Sequence, residues 1–301
     1  MSIEVRRAES DADLEAWIHI RRTLFPNESA GTVELQRERE TSDRMLLLAE
    51  LDGELAGSGI ADRSSNLERA FIVPRVLPAM RRRGVGTALL RALVSHALRM
   101  EVPGVSSLVD GNDAGAMAFA QRFGFEEVER QVEQARSLNG TEQAVSPLPE
   151  GVEVVTIEER PELLERSYEL ALQGYEDMAL PWNVVVPIEE WLRDEATVPG
   201  GSFVALASGD IIGFSGLMRH DSEGVAEDGL TVVRRDWRRR GLAKALKERE
   251  IEWAAANGLD EIVTWTQRGN DGMRAVNEQL GYVYRDVSVS VMTLLPVRGL
   301  D

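Results

Sequence analysis

Hydrophobic and polar positions follow two periods along this chain, and the order in which the periods change is run through twice. In the first pass Ile3 to Ala8 reads as a strand, Asp11 to Leu24 as a helix and Val33 to Glu40 as a second, short helix. The apolar runs Met45 to Leu51 and Leu55 to Asp62 have strand length and flank Asp52-Gly53, a dipeptide suited to a tight hairpin turn. A strand from Ala70 to Val76 comes next. Then Val85, Leu89, Leu93, Ala97 and Met100 recur at helical spacing and predict a helix with one buried face, ended by Pro103-Gly104. A short strand at Ser106 to Val109, a helix from Asn112 to Arg122 and a strand through Val128 and Val132 close the pass.

The second pass predicts a strand at Val152 to Ile157, helices at Pro161 to Leu172 and Ile188 to Ala196, and strands at Ser202 to Ala207 and Ile211 to Met218 around Ser208-Gly209-Asp210. A strand at Val225 to Val233, a helix reaching Asn257, a strand at Glu261 to Thr266, a helix at Asp271 to Leu280 and a strand from Tyr282 to Leu295 complete it. The two passes keep register: Arg81-Arg82-Arg83-Gly84-Val85-Gly86 returns 157 residues later as Arg238-Arg239-Arg240-Gly241-Leu242-Ala243, and the same offset relates Gly124-Phe125 to Gly281-Tyr282. Asn112 and Asn270 match at an offset one larger. The expected organisation is a unit at 1–138, a linker at 139–151 containing Pro147 and Pro149, and a second unit at 152–301.

Composition narrows the chemistry. At 301 residues and 43% hydrophobic, the chain can bury a core in each unit. Without cysteine it has no disulfide, thiolate metal site or covalent cysteine intermediate, and three scattered histidines, His19, His96 and His220, do not suggest a metal centre. No apolar run has the length of a bilayer span and the first residues do not read as a signal peptide, so a cytoplasmic protein with no membrane partner is expected. A net charge of −17 argues against nucleic acid as a partner and is compatible with a cationic substrate. Against that acidity, Lys244 and Lys247, the chain's only lysines, lie beside Arg234, Arg235, Arg238, Arg239 and Arg240. The 32 arginines suggest a GC-rich bacterial source.

A strand, a glycine turn and a helix start together make an anion site, because the first N–H groups of a helix are unpaired and carry partial positive charge. Gly84 and Gly241 allow close backbone approach, Gly86 and Ala243 keep side-chain bulk away, and Arg81, Arg82, Arg83, Arg238, Arg239 and Arg240 add charge. One such run would read as a solvated arginine face; two in matched context point to a phosphate-bearing ligand.

The pattern Arg-x-x-Gly-x-Gly/Ala after a strand, with Asn and Gly-Phe/Tyr downstream, resembles the GNAT superfamily of N-acetyltransferases, and it does so twice over nearly the whole chain. The resemblance implies two tandem GNAT-like α/β (α+β) domains, each a mixed, mostly antiparallel sheet flanked by helices, and acetyl-CoA as co-substrate with no metal. It implies that the pyrophosphate is held at Arg238, Arg239, Arg240, Gly241, Leu242 and Ala243, that Thr231, Val232 and Val233 pair with the pantetheine arm, and that Asn270 and Asn277 border the arm. In unit one the corresponding residues are Val76, Arg81, Arg82, Arg83, Gly84, Val85, Gly86 and Asn112.

Where GNAT enzymes use a strand carboxylate as general base, unit two has Glu227 and unit one has Ala70, so unit two is expected to carry the chemistry. In a regular strand, residues 227, 229, 231 and 233 share a face and Asp228 points the other way. Glu227-Asp228 also fits a pair of solvated carboxylates at a strand start. The tyrosine that often protonates the departing thiolate falls at Asn277 and Ala120, so no acid is assigned, Tyr284 and His220 being the unsupported options. Pro74 interrupts the donors of unit one's strand, which leaves that unit either a second acetyl-CoA site or a degenerate scaffold completing the cleft or a homodimer face.

Tyr175, Glu176 and Asp177, in the segment running to Trp182, occupy the place where GNAT enzymes contact the acceptor, and mixed aromatics and carboxylates suit a small cationic amine. They equally suit helix packing and a solvated turn. The expectation is direct acetyl transfer to a primary amine in a ternary complex. Its rivals are a non-catalytic acetyl-CoA-binding or interaction protein and, as a lesser alternative, a mycothiol-synthase-like acetyltransferase.

Overall fold

The structure is a computed structural model that describes residues 2–25, 31–64, 68–138, 145–178, 186–220 and 222–300. The chain divides into two compact units, residues 1–128 with 289–301 and residues 129–288.

Unit one opens with β1 (Ile3–Arg7), α1 (Asp11–Leu24) and α2 (Val33–Glu38), followed by β2 (Met45–Leu51), β3 (Glu54–Arg63) and β4 (Ala70–Val76). It continues with α3 (Val85–Arg99), β5 (Gly104–Asp110) and α4 (Ala114–Arg122), and β6 (Glu126–Ser137) then leads out of it. Ser10 starts α1 with a capping box to Asp13, which accounts for the expected start at Asp11. Asp52 and Gly53 take φ of 53° and 84° at the hairpin. The order β1-β2-β3-β4-β5 is antiparallel except for the parallel pair β4–β5. Leu14, Trp17, Ile18 and Ile20 of α1 bury against Leu46, Leu48, Ile60 and Val73 on one face. On the other, a Cβ on Gly59 would stand 3.3 Å from Leu93, so α3 packs tightly on β3. The helical stripe Val85, Leu89, Leu93, Ala97 and Met100 is buried throughout.

Unit two repeats the plan with β7 (Val152–Thr156), α5 (Glu162–Glu176), α6 (Ile188–Asp194), β8 (Phe203–Ala207), β9 (Asp210–Arg219) and β10 (Val225–Val233), then α7 (Leu242–Ala256), β11 (Glu261–Gln267), α8 (Asp271–Gln279) and β12 (Val283–Leu294). Leu163, Leu170, Ala171 and Trp191 of α5 and α6 pack on Val204, Phe214 and Val232. On the opposite face Leu242 and Leu246 of α7 pack on Ala205, Ile212 and Val233. Both units are thus mixed sheets, mostly antiparallel, between helices.

The periodicity did not reveal where the last strands go. Residues 129–137 of β6 belong to unit two, where Gln131 to Ser137 pair antiparallel with β11, and residues 289–294 of β12 belong to unit one, beside β5, with Leu295 N–H bonded to Pro103 C=O at 3.0 Å. Each unit is therefore completed by a strand from the other repeat. Of the linker, residues 139–144 lie outside the described residues; Ser146 is fixed to Glu248 of α7 by bonds of 2.7 and 3.0 Å. Among the described residues no helix is long and apolar enough to cross a membrane.

Candidate functional site

Two strands that begin as neighbours and then part define the site in unit two. β10 pairs with β11 only from Val225–Glu261 to Glu227–Val263, while β11 goes on to Gln267 with its other edge paired to β6. Beyond Glu227 the backbone ladder to β11 stops, the last link being Thr264 Oγ1, which donates to Asp228 C=O at 2.9 Å, and among the described residues no backbone pairing to β11 continues past Asp228. The other edge of β10 stays paired to β9, but with a shift of register between Asp228 and Thr231, a β-bulge at Gly229-Leu230.

The bulge corrects the expectation drawn from a regular strand. Ala226 packs on Ile251 and Ala254 of α7, Asp228 pairs with Lys247 of α7, and Thr231 Oγ1 donates to Asp228 Oδ1 at 3.2 Å, so Ala226, Asp228 and Thr231 share the α7 face. Glu227, between Ala226 and Asp228, faces the α5 and α6 side, as do Leu230 and Val232, which pack on that core. Thr231 and Glu227 are thus on opposite faces. Burial, then the charges of Asp228 and Glu133, push the Glu227 carboxyl up to about 7.

Sequence reasoning missed Glu195, which follows α6. Its Oε1 accepts from Leu230 N–H at 3.4 Å beside the bulge. Burial, opposed by that N–H and reinforced by the Asp228 and Glu227 charges, pushes it up to about 8. The signal was Gly229, since a glycine inside a strand pattern marks a bulge or a close approach. Under the sheet, Asp228 and Lys247 form a buried ion pair, with Lys247 Nζ 5.3 Å from the Tyr282 ring centroid and Glu250 fully buried nearby. Burial raises both the Glu250 carboxyl and the Tyr282 phenol.

Past β10 a single 3-10 turn leads to Arg239 at φ 60° and Gly241 at φ 81°, where α7 starts; in unit one Arg82 and Gly84 take 62° and 90° before α3. Nothing lies within 4 Å of a Cβ on Gly241, so its glycine answers to backbone conformation rather than to crowding within the chain. The first arginine of each motif serves the fold: Arg238 Nε donates to Val233 C=O at 2.8 Å and Arg81 Nε to Val76 C=O at 3.3 Å. Each is also ion-paired, Arg81 with Asp113 at 2.7 Å and Arg238 with Asp177. Arg239 is exposed, and Arg240 lies with Cζ 4.6 Å from the Trp237 ring centroid.

Glu176 and Asp177 therefore meet the turn: Arg235 Nη2 donates to both, at 3.2 and 2.8 Å, and hydrogen bonds from Arg235 and Arg238 hold the Asp177 carboxyl below its usual range. Tyr175 packs against the α5–α6 core, and burial raises its phenol. The end of α5 lies along the opening, since a Cβ on Gly174 would be 3.1 Å from Val232 and Gln267 Nε2 bonds to Met178 Sδ at 3.4 Å. Trp182 lies outside the described residues.

Of the two asparagines, Asn270 caps α8 by accepting from Met273 N–H at 3.3 Å. Asn277 is fully buried and donates to Gln134 at 2.9 Å, so its side chain faces β6. In unit one the cap equivalent to Asn270 is Asp113, which accepts from Ala116 N–H; the repeat thus keeps its offset of 157, and Asn112 is not the counterpart. β4 of unit one pairs with β3 without any register shift, Pro74 opposite Gly59, and with β5 only at Ala70 and Phe71.

Comparison with known proteins agrees with this geometry. The model of the acetyltransferase (GNAT) family matches residues 13–125 and again 164–282. The chain is 26% identical to mycothiol acetyltransferase of Catenulispora acidiphila over 94% of its own length and 83% of that protein. It is also 26% identical to the Thermobispora bispora mycothiol acetyltransferase, over 96% and 99%. Among solved structures it resembles a GCN5-related N-acetyltransferase from Sphaerobacter thermophilus (TM-score 0.77, 21% identity, 97% of this chain and 95% of that one). It also resembles a tandem GNAT protein from the clavulanic acid biosynthesis pathway (0.73, 19%, 97% and 98%). Matched twice across most of its length, the chain belongs to the acetyltransferase (GNAT) family, as an enzyme with two GNAT domains.

Proposed function

We propose that unit two transfers an acetyl group directly from acetyl-CoA to a primary amine of a small molecule. The observation that carries the reading is the parting of β10 from β11 at Glu227, a carboxyl already pushed toward neutrality, in line with a glycine turn at the start of α7. The open edge of Thr231, Val232 and Val233 takes the pantetheine arm, and the N–H groups at Gly241, Leu242 and Ala243 take the pyrophosphate, with Arg239 and Arg240 adding charge. Glu227 removes a proton from the acceptor's ammonium group, and the neutral amine attacks the thioester carbonyl. The C–S bond breaks as the C–N bond forms, and the thiolate is protonated by solvent.

Unit one presents the same turn at Arg82 and Gly84 but has Ala70 where unit two has Glu227, which supports a binding or scaffolding part for it. Asn277 faces β6, which weighs against its contacting the arm, and Asp177 is committed to Arg235 and Arg238, which leaves Tyr175 and Glu176 the stronger acceptor-side residues of that segment. The names of the relatives favour the acceptor of mycothiol acetyltransferases as the first amine to test.

The test is calorimetric titration of acetyl-CoA into the intact chain and into Gly241→Val and Gly84→Val variants, followed by an amine panel that includes that acceptor, with Glu227→Gln as control. Binding lost with Gly241→Val and turnover lost with Glu227→Gln support the reading. Tight binding with no turnover on any amine would replace it by a non-catalytic acetyl-CoA-binding role.

A further inference from the structure

Gly216 of β9 lies opposite the bulge of β10, between the register partners of Asp228 and Thr231. The space where side chains would stand there is taken by one carboxyl. A Cβ on Gly216 would lie 2.2 Å from Glu195 Oε1, and one on Gly229 would lie 2.8 Å from the same atom. That oxygen also receives Leu230 N–H, an amide of the bulge itself. Glu195 enters this notch from the end of α6, where the chain reverses at Ala196 with φ 53°, a conformation residues with a Cβ rarely adopt.

Unit one supplies the contrast. At the repeat offset Ala70 stands for Glu227 and Ile72 for Gly229, and β4 keeps unbroken register from Arg63–Ala70 to Gly57–Val76. The bulge, its glycine and the Glu227 carboxyl occur together in unit two, and none of them is found in unit one's β4.

We infer that Glu195 is a positioning residue for Glu227: lodged between Gly216 and Gly229 on the α5 and α6 side that Glu227 also faces, it holds the bulge that follows Glu227 on β10 and screens Glu227 from water. This rests on the reading of Glu227 as the base. Burial is the largest cause raising both carboxyls, as expected for neighbours that keep water off one another. The other charged and titratable groups that act on the pair are Tyr175 of α5 on Glu195, Glu133 of β6 with its partner Arg285 of β12 on Glu227, and, from the α7 side of the sheet, Asp228 on both and Glu250 on Glu195, with Lys247 paired to Asp228 there.

The experiment separates filling the notch from charge. Glu195→Gln keeps the shape and an oxygen for Leu230 N–H; Glu195→Ala admits water; Gly216→Ala displaces the carboxyl without removing it. The full chain is labelled with 13C-glutamate, and the Glu227 side-chain signal, assigned by its loss in Glu227→Gln, is followed against pH, with acetyl transfer measured on the same samples. Glu195→Ala and Gly216→Ala should lower the Glu227 midpoint by about one pH unit and lower kcat on the order of 100-fold, while Glu195→Gln stays near wild type. A Glu227 midpoint unmoved by both alanine variants, or equal losses in Glu195→Gln and Glu195→Ala, overturns the inference. Since the titration needs no acceptor, a Glu227→Gln enzyme with normal turnover would defeat only the base assignment.

Discussion

Thr231 and Asp228, three positions apart on one strand, lie on the same face of the sheet and share a 3.2 Å hydrogen bond. In a regular strand an odd spacing puts two residues on opposite faces; here the extra residue of the bulge restores them to one. Asp228 is paired with Lys247 beneath the sheet, and its neighbour Glu227 faces the other side. The two adjacent carboxyls face opposite sides of the sheet by ordinary alternation, and the bulge just past them adds Thr231 to the side of Asp228 rather than that of Glu227.

Asp228 and Lys247 are 2% and 1% exposed, so removing one partner strands a charge that water cannot reach. Lys247→Met should destabilise the protein by about 3–5 kcal/mol, seen as a fall in the denaturant midpoint. Adding Asp228→Asn to Lys247→Met should recover most of that loss. A single variant as stable as wild type would show that the pair contributes little to holding α7 on β10.

The repeat, the helix and strand order, the turns and the buried stripe of α3 were legible because each rests on local patterns: period, Gly and Pro punctuation, and motif spacing. The fates of β6 and β12 were not, since a strand's own pattern does not record which sheet edge it joins. Thr231 was put on the wrong face relative to Glu227 by assuming period two through Gly229, the residue that breaks it. Glu195 follows a helix among polar residues and reads as solvated; only the bulge, together with Gly216 opposite it, gives it a place to go.

Asp177 partly neutralises the turn that is proposed to take the pyrophosphate, through Arg235 and Arg238. Both arginines are exposed enough that the pairs are worth roughly 0.2–1 kcal/mol. Asp177→Asn should therefore tighten acetyl-CoA binding by about 1.5- to 5-fold and steepen its dependence on salt, measurable by calorimetry at two ionic strengths. Weaker binding would mean that Asp177 shapes the turn rather than competing with the ligand for it.

Trp191 is 1% exposed, donates from its indole to Leu164 C=O at 3.1 Å and packs with Phe214 at a ring separation of 5.2 Å. It joins α6 to α5 and to the sheet next to Glu195. Trp191→Ala should cost about 3–5 kcal/mol in urea unfolding. At temperatures where the variant stays folded it should also lower kcat more than it alters acetyl-CoA affinity, because the turn at Gly241 lies on the opposite side of the sheet from this core.

Glu195 and Glu227 also leave a signature in stability against pH. Their folded values, about 8 and about 7, stand above the ordinary glutamate value of 4.5, so between these limits the folded chain holds protons that the unfolded chain has released. The sign follows: this contribution is fully present below about pH 4.5 and is lost as pH rises through 7 and 8. Paired carboxyls such as Asp177 and Asp13 work in the opposite sense at lower pH, so the pair must be isolated by difference. Thermal unfolding of wild type minus that of the Glu195→Gln, Glu227→Gln double variant should show wild type losing stability relative to the variant from pH 5 to pH 8. A difference that is flat over that range would mean that neither carboxyl is kept from water in the folded protein, and the site would lose the desolvation on which its proposed base depends.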